Sequence, residues 1–182
     1  MIRRLIYYGH SGLRRRCLEI TEITGNLLQI AQDLIETVLN LNGAGLAAPQ
    51  IGEYVRMFVI CYDNGMSEGG GAILSQPKIY INPTLSEPSA EVLTYGEGCL
   101  SIPGIYEEIP RPAKITIEAM DLDGNVFVEQ TTMWRARSIM HENDHLNGTL
   151  FIDRIPLSKV RKRIAPDLKK IKKTYNTSQK LS

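Results

Sequence analysis

Apolar positions recur at helical spacing in two stretches and at alternate positions in another, and these fix the outline of the chain. Leu27, Ala31, Leu34, Ile35 and Val38 fall on one face of a 3.6-residue repeat. Thr24 stands where a cap accepts an orphan amide and Asn42-Gly43 ends the run, so an N-terminal amphipathic helix is expected. Residues 134–147 contain neither Gly nor Pro, carry Ile139 and Leu146 seven apart, and run into Gly148, a natural stop. Lys114 to Met120 alternates, with Ile115, Ile117 and Ala119 on one face. Asp121-Leu122-Asp123-Gly124 then turns the chain and Val126 to Thr131 returns, which predicts an antiparallel hairpin. Val55 to Cys61 reads as a buried strand, and Lys78 to Ile81 as a short one stopped by Asn82-Pro83. Asn64 to Gly71 ends in three glycines and reads as a mobile surface loop or hairpin tip. Glu91 to Tyr95 leads into a glycine-rich loop around Cys99, and Ser11 is a candidate cap for a short helix carrying Arg14, Arg15 and Arg16. Strands and helices do not alternate as βαβ units. The expected class is therefore α+β: antiparallel β-sheets packed around a central helix, with an N-terminal helix and a C-terminal helix.

Composition changes this picture little. The 182 residues, 43% hydrophobic and 23% charged with a net charge of +1, suit one soluble catalytic domain spanning residues 1–182. Three cysteines, at 17, 61 and 99, do not make a disulfide framework and fit a reducing compartment. Arg3 and Arg4 precede an apolar run of only Leu5 to Tyr8, too short for a signal peptide, and no later run approaches a membrane span. A cytoplasmic protein is expected. The segment 158–182 is basic, with eight Lys or Arg and one acid between Lys159 and Lys173. Pro166 splits it, so a helix from Pro166 to about Tyr175 is expected. Such runs usually form a solvated face; contact with phosphates, most plausibly RNA, is the functional alternative.

The candidate chemistry lies in the central helix. Two of the chain's three histidines, His141 and His145, are four apart and so share one helical face, with Glu142 one step round. Two imidazoles so placed bind one metal ion, and the glutamate then reaches a water on that ion. A catalytic site of this type needs a third protein ligand. The extended metalloprotease pattern fails because Phe151 stands where a third His is required, and no Glu follows Glu142. The donor is therefore sought upstream, at Cys99 in Glu97-Gly98-Cys99-Leu100-Ser101. On spacing alone that thiol is as well read as a small buried hydrophobe.

Three segments, Gly43-Ala44-Gly45-Leu46-Ala47-Ala48-Pro49-Gln50, Glu97-Gly98-Cys99-Leu100-Ser101 and His141-Glu142-Asn143-Asp144-His145, together resemble the signature motifs of bacterial peptide deformylase. The resemblance extends from Tyr7 to about Arg154. It implies a hydrolase of protein biosynthesis and N-terminal processing that removes the N-formyl group from nascent formyl-methionyl peptides and releases formate. It implies one divalent metal, Fe(II) expected with zinc, nickel or cobalt possible, held by Cys99, His141 and His145. Glu142 becomes the acid/base, Gln50 and the backbone N–H of Leu100 hold the formyl oxygen, and the Gly45 backbone pairs with the substrate. The implied substrate-binding set is Gly43, Gly45, Gly98, Trp134, Arg137 and Ser138. The basic C-terminal segment resembles one through which related enzymes contact the ribosome. Two positions depart from the pattern: Met140 where Gln is common and Asn143 where an apolar residue is usual. Either could alter how the helix packs or how the first substrate side chain is received. The competing readings are a metallopeptidase using the same His-Glu-x-x-His chemistry and a ribosome-associated protein with a vestigial site.

Overall fold

The computed structural model describes residues 1–64, 67–70, 73–155 and 158–178. Gly65, Met66 and Gly71, part of the expected loop, and residues 179–182 of the basic segment lie outside the described residues.

Helix α1 (Gly25–Asn40) opens where Thr24 accepts a hydrogen bond from the Leu27 amide at 3.3 Å. It ends at Asn42, whose φ of 52° lets the Gly43 amide reach back to the Val38 carbonyl at 2.9 Å. Strands β1 (Gly45–Ala47), β2 (Met57–Tyr62), β3 (Leu74–Ser86), β6 (Lys114–Met120) and β7 (Val126–Thr132) form one antiparallel sheet in the order β1-β2-β3-β6-β7. Strands β4 (Val92–Cys99) and β5 (Ile102–Pro112) form a separate two-stranded ribbon. Helix α2 (Met133–Leu146) follows β7, and α3 (Ser158–Ser178) closes the described chain.

Side-chain alternation along β2 explains the layering. Met57, Val59 and Cys61 pack with Leu27, Ala31 and Leu34 of α1, whereas Phe58 and Ile60 pack with Ala136 and Ile139 of α2. The sheet thus lies between the two helices. Each fully buried side chain of this size contributes roughly 1.5–3 kcal/mol, so both faces carry the fold. A third apolar cluster joins Ile102, Ile105 and Ile109 of the ribbon to Phe151, Ile164 and Ile171, which sets α3 against the ribbon. The architecture is α+β, as the patterning indicates.

Several boundaries differ from expectation for identifiable reasons. Asn82-Pro83 does not stop β3. Asn82 takes φ 49° at a register shift between Ile81 and Thr84, and its side chain bonds both backbone groups of Ile20. Proline is tolerated at such a bulge because no ladder amide is required there. The Cys99 region is the end of a strand, not a free loop. Pro166 lies inside α3 instead of opening it. Packing of Ile164 and Ile171, with Tyr175 stacked on Tyr7 at 3.9 Å, offsets the lost helical hydrogen bond. Near the N-terminus the short turn Ser11–Arg14 is capped by the His10 side chain, which accepts from the Gly12 amide at 3.0 Å; Ser11 is not the cap.

Candidate metal centre

Helix α2 is buried along most of its length although its sequence is polar, because polar partners surround it on the ribbon side. His141 and His145 project from it one turn apart, with ring centroids 5.0 Å from each other. Cys99 comes from β4, where a register shift between Gly98 and Cys99 re-aims the backbone at the ribbon's end. Its Sγ lies 3.3 Å from His145 Nε2, and one ligand atom from each of Cys99, His141 and His145 lies within 4.8 Å of the others. A thiolate and an imidazole on one tetrahedral ion are roughly 3.5 Å apart. Three convergent donors, the two imidazoles buried and the Cys99 thiol half-buried, fit a divalent cation with a fourth position left open. Cys99 therefore sits with the two histidines; it is not a lone packed thiol.

Of the groups behind these donors, the sequence reading gave Glu97 and Arg111 no role and placed Arg137 only in the substrate-binding set. His141 Nδ1 donates to Glu97 Oε1 at 2.6 Å, which leaves Nε2 for a metal. Glu97 also receives Arg111 through Nε at 2.8 Å and Nη2 at 2.6 Å, and Arg137 Nη1 at 3.0 Å. Arg111 Nη1 continues to Asp144 Oδ2 at 3.0 Å, and Arg154 grips the same carboxylate. Burial alone would raise the Glu97 carboxyl, but the bonds from Arg111 and His141 outweigh it and hold it well below the usual carboxylate range. The sequence signal for Glu97 was its place two residues before Cys99. Arg111 had none, since β5 itself was not foreseen.

Glu142 is 4% exposed, and its Oε2 has no hydrogen-bond partner. Burial pushes its carboxyl up to about 7, against the pull of His141. Its side chain lies against Gly45: a Cβ there would come within 2.9 Å of Glu142 Oε1 and 3.0 Å of the Val59 carbonyl. Glycine at 45 is thus a matter of space. Gln50, 2% exposed, uses Oε1 to accept from the Ala47 amide at 2.8 Å and points Nε2 at Ser101 Oγ (3.2 Å) and Cys99 Sγ (3.6 Å).

A cavity of about 430 Å³ opens over Cys99, His141 and Glu142, between the 42–45 segment, the ribbon and α2. Gly43, Gly45, Gln50, Gly98 and Leu100 line it, as do Trp134, Arg137 and Ser138; His145 lies behind, 1% exposed. Arg137 contributes to the wall, yet its guanidinium is committed to Glu97 and to the carbonyls of Ile109 (2.9 Å) and Leu93 (2.7 Å). Trp134 stacks on Tyr95 at 5.0 Å and donates to the Gly70 carbonyl at 3.1 Å, so it shapes the rim. Met140 and Asn143 do not line this cavity; both face a different one on the far side of α2. Among the described residues no helix is long and apolar enough to cross a membrane.

Comparison with known proteins agrees with this geometry. A family model described as polypeptide deformylase matches residues 2–161. A peptide deformylase of Rhodopseudomonas palustris is 42% identical over 161 residues, 88% of this chain and 89% of that one. One from Nitrobacter hamburgensis is 40% identical over 154 residues, 85% and 87% of the two chains. Among solved structures, peptide deformylase from Ehrlichia chaffeensis superposes with a TM-score of 0.84 at 28% identity, covering 98% of this chain and 99% of that one. The Thermotoga maritima enzyme gives 0.77 at 36% identity, covering 86% and 99%.

Proposed function

The chain belongs to the polypeptide deformylase family, and from that premise we propose how its own residues carry out the family's reaction. It is a metal-dependent hydrolase that removes the N-formyl group from nascent formyl-methionyl polypeptides and releases formate. The metallopeptidase and vestigial-site readings are not favoured. Residues 1–182 act as one catalytic domain with a cytoplasmic location.

Cys99, His141 and His145 hold the ion, Fe(II) in the first instance, with zinc, nickel or cobalt accommodated by the same donors. When bound, such an ion acts as a Lewis acid and makes a nucleophile available from water near neutral pH. Glu142 Oε2, buried beside the ligands and lacking a protein partner, takes the proton of the attacking water and returns it to the departing amine. Gln50 Nε2 and the Leu100 N–H donate to the formyl oxygen as its charge grows; one such donor is typically worth about 100- to 1000-fold in rate. β1 is the edge of the sheet, so the Gly45 backbone is free to pair with the substrate main chain. Gly43, Gly98, Trp134 and Ser138 bound the space for the first side chain, and Arg137 fixes that wall through its tie to the ribbon. The basic face of α3 is the surface proposed to meet the ribosome.

The observation that carries this assignment is the convergence of one thiol and two imidazoles beside a buried, unpartnered glutamate. Formylated and unformylated Met-Ala peptides assayed side by side test it. Formate release from the first alone is expected, and Glu142→Ala should abolish turnover while metal content stays at the wild-type level. Cleavage of the Met-Ala bond without formate would overturn it. Anaerobic purification with elemental analysis identifies the ion.

A further inference from the structure

The two donors assigned to the formyl oxygen stand on different elements. Gln50 lies in the short turn Ala48–Ile51 that follows β1, and Leu100 lies between β4 and β5. The Gln50 amide has one orientation, because its Oε1 accepts from the Ala47 backbone amide at 2.8 Å and a backbone N–H only donates. Its Nε2 is thereby turned toward the ribbon. Two acceptors wait there: Ser101 Oγ at 3.2 Å, on a fully buried side chain, and Cys99 Sγ at 3.6 Å. An amide nitrogen carries two N–H groups. With one taken by the Ser101 hydroxyl, the second is left facing the sulfur, on the metal side.

Ser101 also adjoins Leu100 in the chain, so one residue touches both donors. The main chains are tied from behind: the Ile6 amide donates to the Gln50 carbonyl at 2.8 Å, and the Tyr8 amide to the Ser101 carbonyl at 2.9 Å. Those bonds fix where the two backbones lie, but they do not turn the Gln50 side chain. Without the hydroxyl, both N–H groups would be left to the sulfur, and the donor would be drawn off its target. We propose that Ser101 is a positioning residue for deformylation: its hydroxyl accepts one Gln50 N–H, which aims the other at the formyl oxygen and sets it against the Leu100 N–H. The inference rests on the deformylase reading of this site. A donor misplaced by about 1 Å loses up to about 100-fold in rate, so the bond matters although Ser101 touches neither ion nor substrate.

The test compares zinc-loaded wild type, Ser101→Ala, Gln50→Ala and the double variant for formate release from formyl-Met-Ala, with metal content and melting temperature measured alongside. Ser101→Ala should lower kcat about tenfold with KM unchanged, short of the roughly 100- to 1000-fold loss expected for Gln50→Ala. In the Gln50→Ala background the same change should alter kcat by less than about twofold, because nothing is left to aim. Ser101→Cys, close in size but a weak acceptor, should fall with alanine and repeats the comparison. NMR of the wild type should show NOEs between the Gln50 side-chain amide protons and the Ser101 β-protons, and Ser101→Ala should speed exchange of those amide protons with solvent. Wild-type kcat in both Ser101 variants, a change in KM alone, an equal loss with and without Gln50, or absence of the wild-type NOEs would each overturn the proposal and leave the deformylase reading standing. No formate from the wild type would overturn both.

Discussion

Glu97→Gln is the change that most directly tests how the metal centre is held. Glu97 is 6% exposed, and its two oxygens receive four donors from Arg111, Arg137 and His141. Glutamine keeps the shape but offers one acceptor oxygen, and its amide N–H groups then face guanidinium donors. Arg111 keeps Asp144, whereas Arg137 keeps only two backbone carbonyls. Removing one partner of a buried ion pair costs about 3–5 kcal/mol. At roughly 2–4 °C per kcal/mol for a chain of this length, the melting temperature should fall by about 6–20 °C. Loss of the carboxylate behind a ligating histidine should also weaken metal binding by about 10- to 100-fold. Thermal unfolding at fixed, saturating metal and competition with a chelator measure the two effects separately. A melting temperature within about 3 °C of wild type, together with unchanged metal affinity, would refute the reasoning.

Gly45→Ala should lower kcat without emptying the metal site, since the added Cβ displaces Glu142 and the Val59 carbonyl but touches no ligand; wild-type kcat would show that the contact has no catalytic consequence. Cys99→Ser should lose most bound metal, because a neutral hydroxyl is a far poorer donor than a thiolate, and elemental analysis after dialysis reads the loss directly. Glu129 is held below its usual range: burial would raise it, but bonds from Lys78 and Tyr80 outweigh that. A carboxyl lowered on folding contributes stability above its unfolded pKa, about 4.3, and that contribution is lost as pH falls through the folded value. Glu129→Gln should therefore be less stable than wild type at pH 7 and lose less on acidification below about pH 4.3, which melting curves across pH will show.

What the sequence made legible was whatever carried an uninterrupted period. The α1 stripe, the β6–β7 alternation and the Gly-free run of α2 all appear as read. The ribbon did not. Gly104 at φ 78° shifts the buried positions from Ile102 to Ile105, and Pro103, Pro110 and Pro112 are tolerated because a two-stranded ribbon leaves half its amides outside any ladder. With β5 went Arg111, the link between Glu97 and Asp144. The start of α3 was hidden because Pro166 marks a local preference that packing on the ribbon overrides. Of the donors, His141 and His145 were legible from their spacing, whereas Cys99 stayed open on spacing and was singled out only by the resemblance of the three segments to a known family.

The donors of the centre come from separate parts of the fold that only tertiary packing brings together. Cys99 belongs to a ribbon that shares no ladder with the main sheet, while both imidazoles belong to a helix lying against that sheet. An ion seated between them fastens one layer to the other. A chain whose ribbon is not docked on α2 therefore offers two imidazoles without the thiol, and retention of metal by all three donors reports that the two layers have met.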